Sequence, residues 1–204
     1  MAPWSNAAGM EPSDRELMAR LAAGDKDALD PLMERHHRRL YRIALGYLRD
    51  PDLALDAVQE TFVKAFQNAS RWDARAEVAP WLVRIAVNQS IDQYRRVRRR
   101  RTAEEPLAEG DHSTTLAVDD AAPDRRVLGR EIGERIQVAL LGLPDRQRAV
   151  FVLRHCEEMT LEEIADSLQM KLGTVKSALH RAVPSLRGRC DLVFSDTATA
   201  DLTQ

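Results

Sequence analysis

Between residues 95 and 124 the chain sets its densest positive charge against its densest negative charge, and this limits every fold it can adopt. Six of the seven residues 95–101 are arginine, and residues 102–124 then hold seven carboxylates and no Lys or Arg. Charge at that density stays in water, because an ion is buried only when it is paired and hydrogen-bonded. The acidic stretch also mixes Ala, Thr and Pro without helical periodicity, so it cannot bury enough apolar surface to offset its ordering entropy. The chain therefore divides. We expect a disordered N-terminus at 1–13, a helical domain at 14–101, a flexible acidic linker at 102–124, a second helical domain at 125–189 and a polar tail at 190–204.

On both sides of the divide the apolar residues recur at helical spacing, and no stretch alternates with a period of two for long enough to argue a sheet. Leu29, Leu32, Met33, Leu40, Ile43 and Tyr47 share one face of a helix predicted over 25–49. Pro51 then biases Asp50 away from helix. A second helix is predicted over 51–70, with Val58, Phe62, Ala65 and Phe66 as its apolar stripe. The polar stretch NASRWDARAEV at 68–78 reads as a loop. A third helix, with Pro80 in its first turn and Trp81, Leu82, Ile85 and Ile91 along it, runs into the arginines. The fold class is all-α: two small helical domains on a flexible acidic linker.

Several functions are disfavoured. No run approaches the roughly 18 apolar residues of a membrane span, and the N-terminus lacks the basic-then-apolar pattern of a secretion signal, so a cytosolic protein without membrane insertion is expected. Cys156 and Cys190 are the only cysteines and form no Cys-x-x-Cys pair; His36 and His37 are adjacent and point about 100° apart on a helix. Neither pattern suits a metal, and no cofactor is expected. There is no phosphate-cradling Gly loop or nucleophile–base arrangement, so catalysis is not expected. Glu157–Glu158 and Glu162–Glu163 read as helix-start charges favoured by the dipole.

The sharpest local motif is TLEEIADSLQMKLGTVKSALHRAV at 160–183. Thr160 and Glu163 fit a capping box that starts a helix at Leu161, with Leu161, Ile164, Ala165 and Leu168 inward. QMKLG is a short turn ending in Gly173, after which Thr174 is placed to cap a second helix whose Val175, Ala178, Leu179 and Ala182 face the first. That leaves Thr174, Lys176, Ser177, His180 and Arg181 outward on early turns, the position from which a helix-turn-helix reads the major groove. A helical hairpin with a merely solvated polar face is the plainer alternative; the cationic outer face and small Ala165 at the crossing favour DNA. In the first domain, Trp72 and Trp81 lie in or beside a polar loop and precede the arginines. Rings beside a cationic groove are the ingredients of single-strand binding, bases stacking while arginines track phosphates. Core packing is the competing role for both rings.

ALDAVQETFVKAF, PWLVRIAVNQSIDQYRR and LPDRQRAVFVLRHCEEMTLEEIADSLQMKLGTVKSALHRA, in that order around an acidic linker, resemble the extracytoplasmic-function (ECF) sigma factors of bacterial RNA polymerase, over roughly residues 14 to 189. The resemblance implies a protein that binds core polymerase, directs it to specific promoters and assists their opening. The first domain matches sigma region 2 and the last sigma region 4. Asp56, Gln59, Glu60, Thr61 and Phe62 match the surface that docks on the clamp helices of the largest polymerase subunit; the second domain would meet the flap region. Ser70, Arg71, Trp72, Asp73, Arg75, Trp81, Arg84, Asn88, Asp92, Arg95 and Arg96 match the element that melts and reads the −10 sequence. Thr174, Lys176, Ser177, His180 and Arg181 would read the −35 element.

The acidic linker resembles the segment that threads the polymerase's electropositive active-site and RNA-exit path, where carboxylates can stand in for RNA. An anti-sigma factor is a further partner that the resemblance brings in. Three positions depart from the family: Ala178 stands where an arginine is common, Pro80 where Ser or Thr is, and Pro184 should kink or end the recognition helix. A helix-turn-helix regulator acting without core polymerase is the alternative, but it needs neither the DAVQETF surface nor the Trp-containing loop.

Overall fold

Each helix of the first domain begins where a side chain replaces a missing backbone partner. The structure, a computed structural model, describes residues 11–104 and 139–200, with side chains placed through 100 and 188. In α1 (Asp14–Ala22) the N-cap Ser13 and Glu16 close a capping box: the Ser13 amide donates to Glu16 Oε2 at 2.7 Å and the Glu16 amide to Ser13 Oγ at 3.3 Å. Leu17, Met18 and Leu21 are its buried face. The periodicity had suggested a first helix from residue 25. Instead Asp25 caps a 3-10 turn (Lys26–Ala28), its carboxylate accepting from the Asp27 amide at 3.1 Å, and α2 starts only at Leu29 (Leu29–Leu48). At α2's end Arg49 takes up the left-handed conformation (φ 59°). Asp50 accepts from the amides of Asp52 and Leu53, both at 3.0 Å, so that α3 (Pro51–Gln67) starts on a proline that needs no donor.

α3 stops three residues short of its predicted end, because the Asn68 side chain donates to the Lys64 carbonyl at 2.9 Å and the chain tightens into a 3-10 turn at Ala69–Arg71. The loop ends early as well: α4 (Val78–Glu104) begins two residues before Pro80, which still lies among the first amides that have no intrahelical acceptor. α4 carries its helix through the arginines. α2, α3 and α4 pack on one another, and α1 lies across α2 and the start of α4.

In the second domain, α5 (Asp145–His155) packs on α7 (Leu172–Ala200), and α6 (Leu161–Leu168) joins them. Ala139, Leu140, Leu143, Ala182 and Leu186 close one end of this domain. Its other side does not end in solvent. α5 packs on α2 and α6 on α4, and one cluster of buried side chains runs from Leu17 and Leu82 to Val150, Ile164 and Val175. The two helical domains are both formed, and their facing sides share one cluster of buried side chains. The described residues contain no strand. The acidic linker and polar tail predicted from sequence lie outside the described residues, apart from the first residues of the linker, which extend α4, and the tail's backbone through Ala200, which extends α7.

Candidate nucleic-acid interface

Trp81, Arg84, Asn88, Asp92 and Arg95 recur every three or four residues and so share one face of α4. That face is one wall of a groove of about 630 Å³; Lys64, Asn68 and Arg71 from the end of α3 and its turn form the other, and Asp145 and Arg146 of α5 close one end. Five cations against two carboxylates leave the groove positive. Half-buried Trp81 and Ile85 supply apolar surface between the charges. Cations spaced along a helix, an amide side chain that both donates and accepts, and an aromatic side chain suit a nucleic-acid strand better than a small molecule.

Six of the eleven residues predicted for the −10 element thus meet in one groove: Arg71, Trp81, Arg84, Asn88, Asp92 and Arg95. The others are placed elsewhere. Trp72 is half-buried on the core, its indole N–H without a protein partner among the described residues, so the core-packing role holds much of that ring. Asp73 makes a turn, accepting from the Arg75 amide at 2.9 Å, with Ser70 and Arg75 exposed to either side. Arg96 lines a separate depression with Asp56, Gln59 and Glu60. Sequence reading missed Lys64 and Asn68, whose i, i+4 spacing was the available signal. It also missed Arg15 of α1, which steadies the loop through Glu77 at 2.6 Å.

On α3 the faces sort themselves by burial. Ala54, Ala57, Val58, Thr61, Phe62 and Ala65 are buried, the Thr61 hydroxyl donating to the Ala57 carbonyl at 2.6 Å. Thr61 and Phe62 are therefore corrected: they hold α3 on the core and offer no surface for docking. Phe66, placed in the inner stripe from sequence, is 36% exposed and joins Leu55 and Val63 as outward apolar residues beside the exposed Asp56, Gln59 and Glu60. An apolar stripe edged by polar side chains is what a partner surface leaves bare.

In the second domain the capping box is formed, the Thr160 amide donating to Glu163 Oε2 at 2.7 Å and the Glu163 amide to Thr160 Oγ1 at 3.2 Å; the hydrogen bonds from the Thr160 amide and hydroxyl hold the Glu163 carboxyl below the usual carboxylate range. The turn differs from expectation. Gln169 supplies its left-handed residue (φ 50°), α7 starts at Leu172, and Thr174 lies inside the first turn instead of capping it. Thr174, Lys176, Ser177, His180 and Arg181 are all exposed, while Val175, Ala178 and Ala182 are buried. Ala178 therefore packs inward, and its small size costs no outer contact in this arrangement. Pro184 does not end the helix, which continues to Ala200; only the His180 carbonyl loses its usual donor. Glu157 is no helix-start charge: it lies between α5 and α6 and pairs with Arg42 of α2 at 2.8 Å.

Two family profiles match the chain, Sigma-70 region 2 over residues 32–101 and Sigma-70, region 4 over residues 133–184. The ECF RNA polymerase sigma factor SigW of Bacillus subtilis (strain 168) is 30% identical over 181 residues, 87% of this chain and 97% of SigW. The ECF sigma factor SigM of Mycobacterium tuberculosis (strain H37Rv) is 37% identical over 172 residues, 84% of this chain and 82% of SigM. Among solved structures, CnrH in complex with the cytosolic domain of CnrY superposes with a TM-score of 0.61 at 25% identity, covering 89% of this chain and 99% of CnrH. RpoE of Bartonella quintana, solved with the anti-sigma factor NepR, shares the fold at TM-score 0.59 and 19% identity, over 79% of this chain and 96% of RpoE.

Proposed function

The chain belongs to the ECF sigma factors of bacterial RNA polymerase, proteins that direct the polymerase to specific promoters, and on that premise we propose how its parts divide the work. The domain 14–101 docks on the clamp helices through the outer face of α3. Asp56, Gln59 and Glu60 make the polar contacts, and Leu55, Val63 and Phe66 are the apolar surface covered. The groove on α4 takes the opened −10 strand: Arg71, Arg84 and Arg95 meet phosphates, Trp81 offers an aromatic side chain, and Asn88 with Asp92 can hydrogen-bond base edges. Lys176, Ser177, His180 and Arg181 of α7 enter the major groove at the −35 element, with Thr174 beside the backbone.

The linker 102–124 threads the polymerase's cationic path, and the protein acts in the cytoplasm with no catalysis of its own. CnrH is solved with the cytosolic domain of CnrY; an anti-sigma protein that seats against both domains is the corresponding partner proposed here.

The observation that carries this reading is the convergence of Arg71, Trp81, Arg84, Asn88 and Arg95 on one positive groove beside an uncovered apolar stripe on α3. The test is run-off transcription with purified core polymerase on DNA from upstream of the protein's own gene. A discrete transcript that depends on the protein, and that is lost when Arg84 and Asn88 are both changed to Ala, supports it. A variant with both changes that still opens the promoter would remove the groove from the mechanism.

A further inference from the structure

Among the described residues, three polar side chains of the first domain are buried: Thr61, Gln89 and Ser90. Two of them are satisfied within their own helices. The Thr61 hydroxyl donates to the Ala57 carbonyl at 2.6 Å and the Ser90 hydroxyl to the Ala86 carbonyl at 2.8 Å. Gln89 of α4 differs: it is 8% exposed, and its carboxamide makes no hydrogen bond to any described residue. A carboxamide carries two N–H donors and a carbonyl acceptor, and leaving them buried and unpaired costs stability. Leucine or methionine would pack α4 against α3 without that cost, so the fold gives no reason for glutamine at this position.

The groove does give one. Gln89 lines the positive groove and also the depression next to it, and only Lys64 and Asp92 share that placement. These three residues mark the place where the two hollows between α3 and α4 adjoin. The preceding residue, Asn88, lines the groove but is exposed, so it stands at the rim while Gln89 lies at the floor. Depth sorts what each can meet. The phosphates of a bound strand stay near water and meet cations at the rim, whereas a group at the floor is reached only by something turned inward. Asp92, one turn further along α4, repels a phosphate there, and a base carries no charge to repel.

We infer that Gln89 is a specificity-determining residue: its carboxamide reads the edge of one base of the opened strand, turned to the floor where the two hollows adjoin. This deepens the proposed function and rests on the groove being the −10 site. Hydrogen-bond chemistry names the base. A glutamine carboxamide pairs with adenine through two hydrogen bonds, its carbonyl accepting from the N6 amino group and its N–H donating to N7. Guanine presents acceptors at both O6 and N7 and leaves the glutamine carbonyl unpaired. Adenine is therefore the base expected at the position that Gln89 reads.

The experiment uses the full chain with purified core polymerase and the DNA upstream of its own gene, made into a library in which each base of the −10 element is varied singly. Each member carries a transcribed barcode, and all compete in one reaction. The readout at each position is a ratio between bases, so a loss of folded protein lowers every member alike and cancels. The parent should favour adenine at one position by about fivefold or more. Gln89→Met keeps the reach of the side chain and removes its donors and acceptor; it should flatten that position and leave the others as they were. Gln89→Arg presents paired donors that match guanine O6 and N7, so the favoured base should change from adenine to guanine. If the larger arginine does not fold, Gln89→Met decides alone.

A side chain that only supports the fold would lower total transcription and move no preference. If Gln89→Met leaves every preference unchanged, or weakens all of them by one factor, Gln89 reads no base and the inference is overturned. Arg84→Ala combined with Asn88→Ala separates that failure from failure of the groove. If this pair of changes lowers transcription while Gln89→Met moves no preference, only the role of Gln89 has fallen. If neither variant differs from the parent, the groove is not the −10 site. A parent that transcribes no member of the library overturns the promoter reading and this inference together.

Discussion

The two surfaces proposed to meet DNA differ in availability. On α7, Thr174, Lys176, Ser177, His180 and Arg181 all face solvent, and the first domain leaves them uncovered. On α4 the matching row ends at Arg95, which is already engaged by Asp145 of the other domain. A helix that reads intact duplex from outside needs only an exposed cationic face. A groove for a single strand needs depth and rings as well as charge, and depth can be covered. On the proposed reading the outer face of α7 is open to a duplex, while the groove on α4 has Asp145 at Arg95.

The largest expected effect separates the two readers. Arg84→Ala together with Asn88→Ala removes two groove contacts, each worth about 1–3 kcal/mol, and should lower run-off transcription roughly thirtyfold or more while duplex binding through α7 persists. Lys176→Ala with Arg181→Ala should do the reverse: duplex affinity falls, and the slope of log affinity against log salt drops by about 0.9 for each phosphate no longer neutralised. Filter binding across a salt series measures both. Equal loss of both activities in each variant would mean that the two surfaces do not act separately.

The same distinction between a surface the fold uses and one it leaves for a partner sets apart Phe62 and Phe66. Phe62 is 3% exposed, so Phe62→Ala should cost about 3–5 kcal/mol of stability in a denaturant titration. Phe66→Ala should change stability by less than about 0.5 kcal/mol and instead weaken co-purification with core polymerase. A large stability loss at Phe66 would place that ring in the core after all.

A smaller effect is confined to the second domain. Thr160→Ala removes both the Oγ1 acceptor for the Glu163 amide and the hydroxyl that donates to the Glu163 carboxylate at 2.9 Å. It should cost about 1 kcal/mol and weaken duplex binding without altering co-purification with core polymerase. Loss of both would mean that the shared core transmits the damage.

How much of this was legible in the sequence follows from how local each cause is. The Thr160–Glu163 box, the Pro51 start of α3 and the outward set on α7 rest on neighbours within four residues, and they appear where the spacing put them. α1 was missed because nine residues with three buried side chains give too short a pattern to stand out. On α3, periodicity put Val58, Phe62 and Ala65 inward correctly but placed Phe66 with them, because Leu55, Val63 and Phe66 make a second apolar stripe; Thr61 and Phe62 were set on the docking surface by the family resemblance, which does not see their burial. The row from Trp81 to Arg95 was readable as one helix face, but Lys64 and Asn68 join it only through the packing of α3 on α4. Asp145 and Arg148 were not legible at all. Asp145 meets Tyr47 and Arg95, which lie 98 and 50 residues away. Arg148, buried between the rings of Tyr47 and Tyr94, looks in sequence like any other charge on a helix.

The smallest expected effect lies at the start of the first domain and depends on pH. Burial alone would push the Asp14 carboxyl up, but hydrogen bonds from Arg35 at 2.9 Å and His36 at 2.7 Å outweigh it and hold the group below its ordinary value of 3.8. A carboxyl whose folded pKa is lowered adds stability that is complete above its unfolded pKa and is lost as pH falls through the folded one. Asp14 therefore contributes fully at neutral pH and progressively less below about pH 4. The anchoring of α1, and through Arg15 and Glu77 the steadiness of the loop before α4, should weaken over that range. Asp14→Asn should flatten this part of the stability–pH curve while leaving the second domain's duplex binding at neutral pH unchanged. If the variant tracks the parent down to pH 3, the Asp14 cluster is not what ties α1 to α2, and the buried Leu17, Met18 and Leu21 hold the helix alone.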